Sequence, residues 1–210
     1  MIKLFSPTFD SLEIKNAVRT IKSGFWASGE GTKNVLKFEN KFKEYTNALE
    51  CVAVDSGTAA LHLALNVLDI NKKEVLVPSL TFASTVHAIK HNGGIPVFVD
   101  VMQDTLCVDP VDLENKITSK TKVILPVHFG GYPCNMESIR KISQKNSLTI
   151  VEDAAHACGS KYMGKKIGSF SDFTCFSFHP VKNLSMPKGG AITINSKNSK
   201  LFKKKLNSLR

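Results

Sequence analysis

Seven short apolar runs recur along the chain from residue 51: CVAV (51–54), VLV (75–77), PVFV (96–99), VILPV (123–127), LTIV (148–151), FTCF (173–176) and AITI (191–194). Runs of three to five apolar residues suit strands buried on both faces, and most are separated by helical periodicity such as AALHLALNVL (59–68). Strands that alternate with helices predict a mainly parallel sheet, because parallel neighbours need long crossover connections. The expected fold is therefore α/β, a three-layer α/β/α arrangement around a mainly parallel seven-stranded sheet. The last two runs are joined by a loop containing Lys182 rather than by a helix, so 191–194 is expected to be the antiparallel member. Ahead of the first strand, residues 10–23 place Leu12, Ile14, Val18 and Ile21 among charged residues, predicting an amphipathic helix that stops at Gly24. A turn around Trp26 leads to a second predicted helix, 34–45, with Val35, Leu36, Phe38 and Phe42 inward. Trp26 reads as a core or interface residue. These patterns divide the chain into an N-terminal helical arm, 1–48, and a large domain, 49–210.

The loop between the last two strands carries the most chemistry. Lys182 stands two residues after Pro180 in FSFHPVKNLSMPKGGA (176–191), poorly placed for packing and well placed for covalent chemistry. Any single lysine most often sits on the surface; here the setting favours an amine whose pKa is lowered by burial or charge and which forms a Schiff base with an aldehyde cofactor. Pyridoxal 5'-phosphate needs such a lysine, an acid for its ring nitrogen and donors around its phosphate. Asp153 follows the run 148–151, at a strand's C-terminal end where open α/β sheets place ligands. Ser56, Gly57 and Thr58 follow another run and open a helix, so free N–H groups and the helix dipole face an anion there.

The segments SGTAALHLAL, PSLTFAST, FVDV, PVHFGGYPC, VEDAAHA and SFHPVKN, in that order along nearly all of the 210 residues, resemble the DegT family of sugar aminotransferases, which have the type I, aspartate-aminotransferase fold. The resemblance implies transfer of an amino group from an amino-acid donor, glutamate, to a keto group of a nucleotide-linked sugar, in surface-polysaccharide or amino-sugar synthesis. It also implies a homodimer whose site lies at the subunit interface, with the helical arm beside that site. By the same resemblance Phe82 stacks on the pyridine ring, Ser177 binds the phosphate, and His156, one helical turn from Asp153, lies near the ring hydroxyl. Taken alone, these three read as a core aromatic, a turn-capping hydroxyl and a satisfied core histidine. Lys182 argues for transamination, since a related dehydratase branch carries histidine there. His128 and His179 read as structural, Asp55 as a turn acid, and Asp100 carries no assigned chemistry.

Two departures from the family pattern stand out. Where members often read Gly-Glu-Gly-Gly, this chain has Pro187-Lys188-Gly189-Gly190. The family also continues into a small C-terminal domain beyond the place corresponding to Arg210. A rival expectation is therefore a noncatalytic fragment that retains cofactor or partner binding at most, and the 210 residues alone are expected to bind the cofactor weakly and not to turn over.

The net charge of +10 admits nucleic-acid or membrane-surface binding, but the lysines are scattered and no set of stacking aromatics accompanies them. Neither partner is expected, and a basic surface suits an anionic nucleotide-sugar. Lys200 and Lys203–Lys205 read as a solvated helix face. The five cysteines, 51, 107, 134, 158 and 175, include no C-x-x-C pair, so neither a disulfide framework nor a metal site is expected. Cys51 and Cys175 lie in apolar runs and read as buried, inert thiols. The N-terminus MIKLFSPTFDSLEIK has no extended apolar core followed by a small-residue cleavage site, and no apolar stretch is long enough to span a bilayer, so the protein is expected to be cytoplasmic.

Overall fold

The computed structural model describes residues 6–24 and 33–210, so Trp26 lies outside the described residues. In chain order the elements are α1 (Ser11–Ser23), α2 (Lys33–Thr46), β1 (Glu50–Val54), α3 (Gly57–Val67), β2 (Glu74–Pro78), α4 (Ala83–His91), β3 (Ile95–Val99), α5 (Pro110–Asn115), β4 (Thr121–Ile124), α6 (Met136–Asn146), β5 (Thr149–Asp153), β6 (Lys161–Tyr162), β7 (Lys165–Lys166), β8 (Phe173–Ser177), β9 (Gly190–Ile194) and α7 (Ser199–Leu209). Seven of the strands form one sheet in the order β1-β9-β8-β5-β4-β2-β3. Only β9 runs against the others, paired antiparallel to both β1 and β8, as expected for a strand reached through a loop. The small hairpin of β6 and β7 was not foreshadowed by any apolar run, since its strands are lysine-rich and two residues long.

Alternate residues of each central strand face opposite layers. Val75, Val77, Val123, Val151 and Ile192 pack on one side with Leu65 of α3, Ile89 of α4 and Leu206 of α7. On the other, Leu76, Ile124 and Ile150 meet Leu113 of α5 and Ile139 and Ile142 of α6, while Cys51, Phe176 and Ala191 meet Phe42 of α2. Both faces are covered, which is why the strands read as continuous apolar runs rather than as alternating ones. The run 123–127 is cut short: β4 ends at Ile124 because Pro126 has no N–H for the ladder. The chain stays close to β5 beyond that point, with Asp153 N–H donating to the Pro126 carbonyl at 2.9 Å and His128 N–H to the Asp153 carbonyl at 3.1 Å.

The two N-terminal helices behave differently. A capping box starts α1, Asp10 accepting from Leu12 N–H and Glu13 returning a bond to the Asp10 N–H, and Gly24 ends it at φ 72°. Yet α1 has no buried residue, and Leu12, Ile14 and Val18 are exposed. In α2, Phe42 is inward at 4% exposure, whereas Leu36 is 48% exposed. Its place on the inner face is taken by Glu39, whose carboxylate accepts from Ala53 N–H at 2.9 Å and pairs with Arg210. Lys203 also departs from a purely solvated role, forming a 2.7 Å bridge to Glu50.

Phe42 sits among Phe38, Phe176 and Phe178, with centroids 5.1 to 5.5 Å away. Phe42→Ala is expected to destabilise the fold by about 3–5 kcal/mol, and Leu36→Ala by less than about 0.5 kcal/mol. Urea denaturation of the two variants checks the contrast; equal losses would contradict the placement of α2.

Candidate active site

A cavity of about 560 Å³ opens at the C-terminal ends of the parallel strands and is bordered by Gly57, Thr58, Phe82, Asp153, His156, Ser177 and Lys182. All seven residues singled out in the sequence are thus brought together, from four separate stretches of chain.

A cup of open hydrogen-bond donors forms at the start of α3. Ser56 caps the helix, its Oγ accepting from Ala59 N–H at 3.1 Å and its carbonyl from Ala60 N–H at 3.0 Å. The amides of Gly57 and Thr58 have no acceptor among the described residues, as the first turn of any helix leaves them. This turn is pressed against β8: a Cβ on Gly57 would lie 2.8 Å from the Ser177 Cβ. The Ser177 hydroxyl therefore borders the same cup. It accepts from His179 N–H at 3.4 Å and keeps its own proton to donate.

Asp153 ends β5 and is 5% exposed. Its Oδ2 accepts from Thr85 Oγ1 at 2.8 Å and its Oδ1 from Ala155 N–H at 3.1 Å, while Thr81 Oγ1 donates to Thr85 Oγ1 at 2.8 Å. Both partners donate, so the carboxylate is oriented as an acceptor toward the cavity. The threonine relay was missed in the sequence. Its signal was a threonine, Thr85, on the inner face of a short helix, where it is fully buried and needs a polar partner.

Lys182 is carried by a tight turn whose fourth N–H, its own, donates to the His179 carbonyl at 2.8 Å. Pro180 occupies the second position, which its fixed φ suits. The base of the loop is closed by Phe178 N–H to Gly189 at 2.9 Å and Met186 N–H to Phe178 at 2.7 Å, and Asn183 Nδ2 ties the turn to the Cys158 carbonyl at 3.2 Å. Half-buried in this setting, the Lys182 ammonium is held below the usual lysine range by desolvation, with the Asp153 carboxylate opposing. Burial and the Lys182 charge likewise push the His156 imidazole down, again with Asp153 opposing, so His156 is neutral at pH 7.

Phe82 is not a core residue. It is the residue before α4 and stays 77% exposed, its ring at the cavity wall with a free face. His128 also reaches this wall but is locked from behind: Cys134 N–H donates to its Nδ1 at 3.1 Å, so Nε2 carries the proton toward Glu152 at 2.7 Å. That buried pair, with Thr174 Oγ1 on the other Glu152 oxygen at 2.8 Å, holds the splice between the ends of β4 and β5. Cys51 and Cys175 are buried, burial pushing the Cys51 thiol up to about 12 and the Cys175 thiol well above its usual range.

The donor set fits pyridoxal phosphate: two open amides and a hydroxyl for a phosphate, an oriented carboxylate for a ring nitrogen, a free aromatic face and an amine of lowered pKa. The large domain of a type I pyridoxal-phosphate transferase is the fold class found, and the solved structures that match the chain include aminotransferases. The chain belongs to the DegT/DnrJ/EryC1/StrS aminotransferase family, whose pattern matches residues 7–209. It is 41% identical over 93% of its length to GDP-perosamine synthase of Escherichia coli O157:H7, covering 54% of that protein. It is 43% identical over 89% of its length to the spore coat polysaccharide biosynthesis protein SpsC of Bacillus subtilis, covering 48%. Among solved structures, Spr1654 of Streptococcus pneumoniae, assigned as a sugar aminotransferase and solved in its PMP form, superposes with a TM-score of 0.93 at 34% identity, over 99% of this chain and 56% of that one. The chain spans about half the length of the relatives it matches.

Because desolvation lowers the Lys182 pKa, its neutral, reactive fraction exceeds that of an exposed lysine at every pH below the ordinary value of 10.5. Amine-directed labelling followed by peptide mapping across this range should give Lys182 a lower pH midpoint than Lys197 or Lys200. A midpoint at or above theirs would contradict the half-buried setting.

Proposed function

We propose that the protein transfers an amino group from glutamate to a keto group of a nucleotide-linked sugar, using pyridoxal phosphate held in the cavity described above. The observation that carries the reading is the opposition of Lys182, an amine of lowered pKa, to the oriented Asp153 carboxylate across one cavity.

When bound, the cofactor supplies an electron sink for the carbon that gains or loses the amino group. Gly57 and Thr58 N–H with the Ser177 hydroxyl would hold its phosphate, and Phe82 would cover one face of its ring. Asp153 would keep the ring nitrogen protonated by accepting its N–H. The neutral His156 would orient the ring hydroxyl. Lys182 would anchor the cofactor through Nζ and, once released by the donor amine, move a proton at that same atom, a service worth about two to four orders of magnitude in rate. The net charge of +10 favours the approach of an anionic nucleotide.

In this reading residues 49–210 form the cofactor-binding unit and 1–48 an arm that serves it. The working form is a homodimer, with the uncovered apolar residues Leu12, Ile14 and Val18 of α1 placed to meet a second subunit. Its place is the cytoplasm; among the described residues no helix is long and apolar enough to cross a membrane.

Borohydride reduction of the cofactor-loaded protein should leave the cofactor's mass on the peptide containing Lys182. Finding it on Lys188, or on no lysine, would sink the assignment. In a version extended by a family C-terminal domain, Lys182→Ala should abolish amino transfer to a panel of keto-sugar nucleotides. Asp153→Asn should slow conversion of the cofactor by glutamate by about two orders of magnitude, and a native rate would require another partner for the ring nitrogen.

A further inference from the structure

The anion cup has an acidic neighbour. Asp55 directly precedes the capping Ser56, lines the same cavity, and receives the Ser56 hydroxyl on Oδ1 at 3.1 Å. An ionised carboxylate beside two amides that await a phosphate opposes the attraction of the helix terminus. Lys188 meets it from across the lip, its Nζ 2.7 Å from Asp55 Oδ2. The spacing of the two chains is fixed by the backbone, since a Cβ on Gly190 would lie 2.5 Å from the Ser56 carbonyl carbon and oxygen. Lys188 is thus delivered to Asp55 by the start of β9.

We propose that Lys188 is a charge-compensating positioning residue for the phosphate cup: by pairing with Asp55 it cancels the acidic charge bordering the Gly57 and Thr58 amides and lets a phosphate monoester settle there. The inference rests on the cofactor reading given above and assigns a task to a lysine that stands where the resembling family often has an acid. The bond from Lys188 also holds the Asp55 carboxyl below the usual carboxylate range, so the charge to be cancelled is present at neutral pH. The two side chains are 72% and 60% exposed. An ion pair this open adds little to stability, so the variants should fold, and its effect should be electrostatic and sensitive to salt.

The test is to titrate the parent and variants with pyridoxal phosphate and, separately, with pyridoxal, which lacks the phosphate. At about 50 mM salt, Lys188→Ala should weaken pyridoxal phosphate binding about threefold and Lys188→Glu about tenfold, with Lys188→Arg near the parent. The differences should close at about 1 M salt. Adding Asp55→Asn to Lys188→Ala should return affinity to within about twofold of the parent. Pyridoxal should bind all of them alike, a result that a merely structural role for Lys188 would not produce. Parent-like binding of pyridoxal phosphate by Lys188→Glu at low salt, equal weakening of pyridoxal, or no restoration by Asp55→Asn would each overturn the role of Lys188 while leaving the cofactor reading intact. A parent that binds neither compound even at millimolar concentration would instead bring down the cofactor reading, and this inference with it.

Discussion

The close approach of the start of α3 to the ends of β8 and β9 is the constraint on which the site depends. Gly57 rests on Ser177 and Gly190 on Ser56, with no room for a side chain at either glycine. An alanine at Gly190 would drive a methyl into backbone that has no alternative position, unlike an ordinary small-to-large change against a flexible side chain. Through this contact the open amides of α3, the Ser177 hydroxyl and the loop bearing Lys182 share one wall. Loosening it would separate those amides and that hydroxyl from the amine, although neither group would itself be altered.

The opposite wall is held by polar groups rather than by packing. Asp153 is steadied by Thr85 and by Ala155, and one residue earlier Glu152 points the other way, into the buried pair with His128. Successive residues of one strand thus serve two purposes, the inner acid joining the strand ends and the outer one facing the cavity. Each is fully hydrogen-bonded, which is what allows two carboxylates to be buried side by side in an otherwise apolar sheet.

Much of this could be read from the chain. Continuous apolar runs announced a sheet covered on both faces, the loop between the last two runs announced the antiparallel β9, and short motifs at strand ends carried the cavity residues. What was not legible depended on distant partners. Leu36 and Glu39 compete for the inner face of α2, and hydropathy favours the leucine; the glutamate goes in because Ala53 N–H and Arg210 meet its Oε1, although its Oε2 is buried without a partner among the described residues. Phe82 reads as core by composition and is left exposed by its place ahead of α4. The Thr81–Thr85 relay and the Lys188–Asp55 pair are contacts between groups whose meeting only the folded sheet arranges.

The position of β9 has a consequence for how the molecule is assembled. In the sheet it lies between β1 and β8, and among the described residues β1 has no other strand partner. Until residues 190–194 arrive, the first strand of the sheet must remain an unpaired edge while some 135 residues of chain accumulate behind it, roughly the separation of Val54 from its partner Gly190. Closure of that long loop is slow compared with formation of the local βα units between. The open end of α3, where the helix leaves β1, thus depends on the longest-range strand pairing in the sheet, made by the strand that also delivers Lys188.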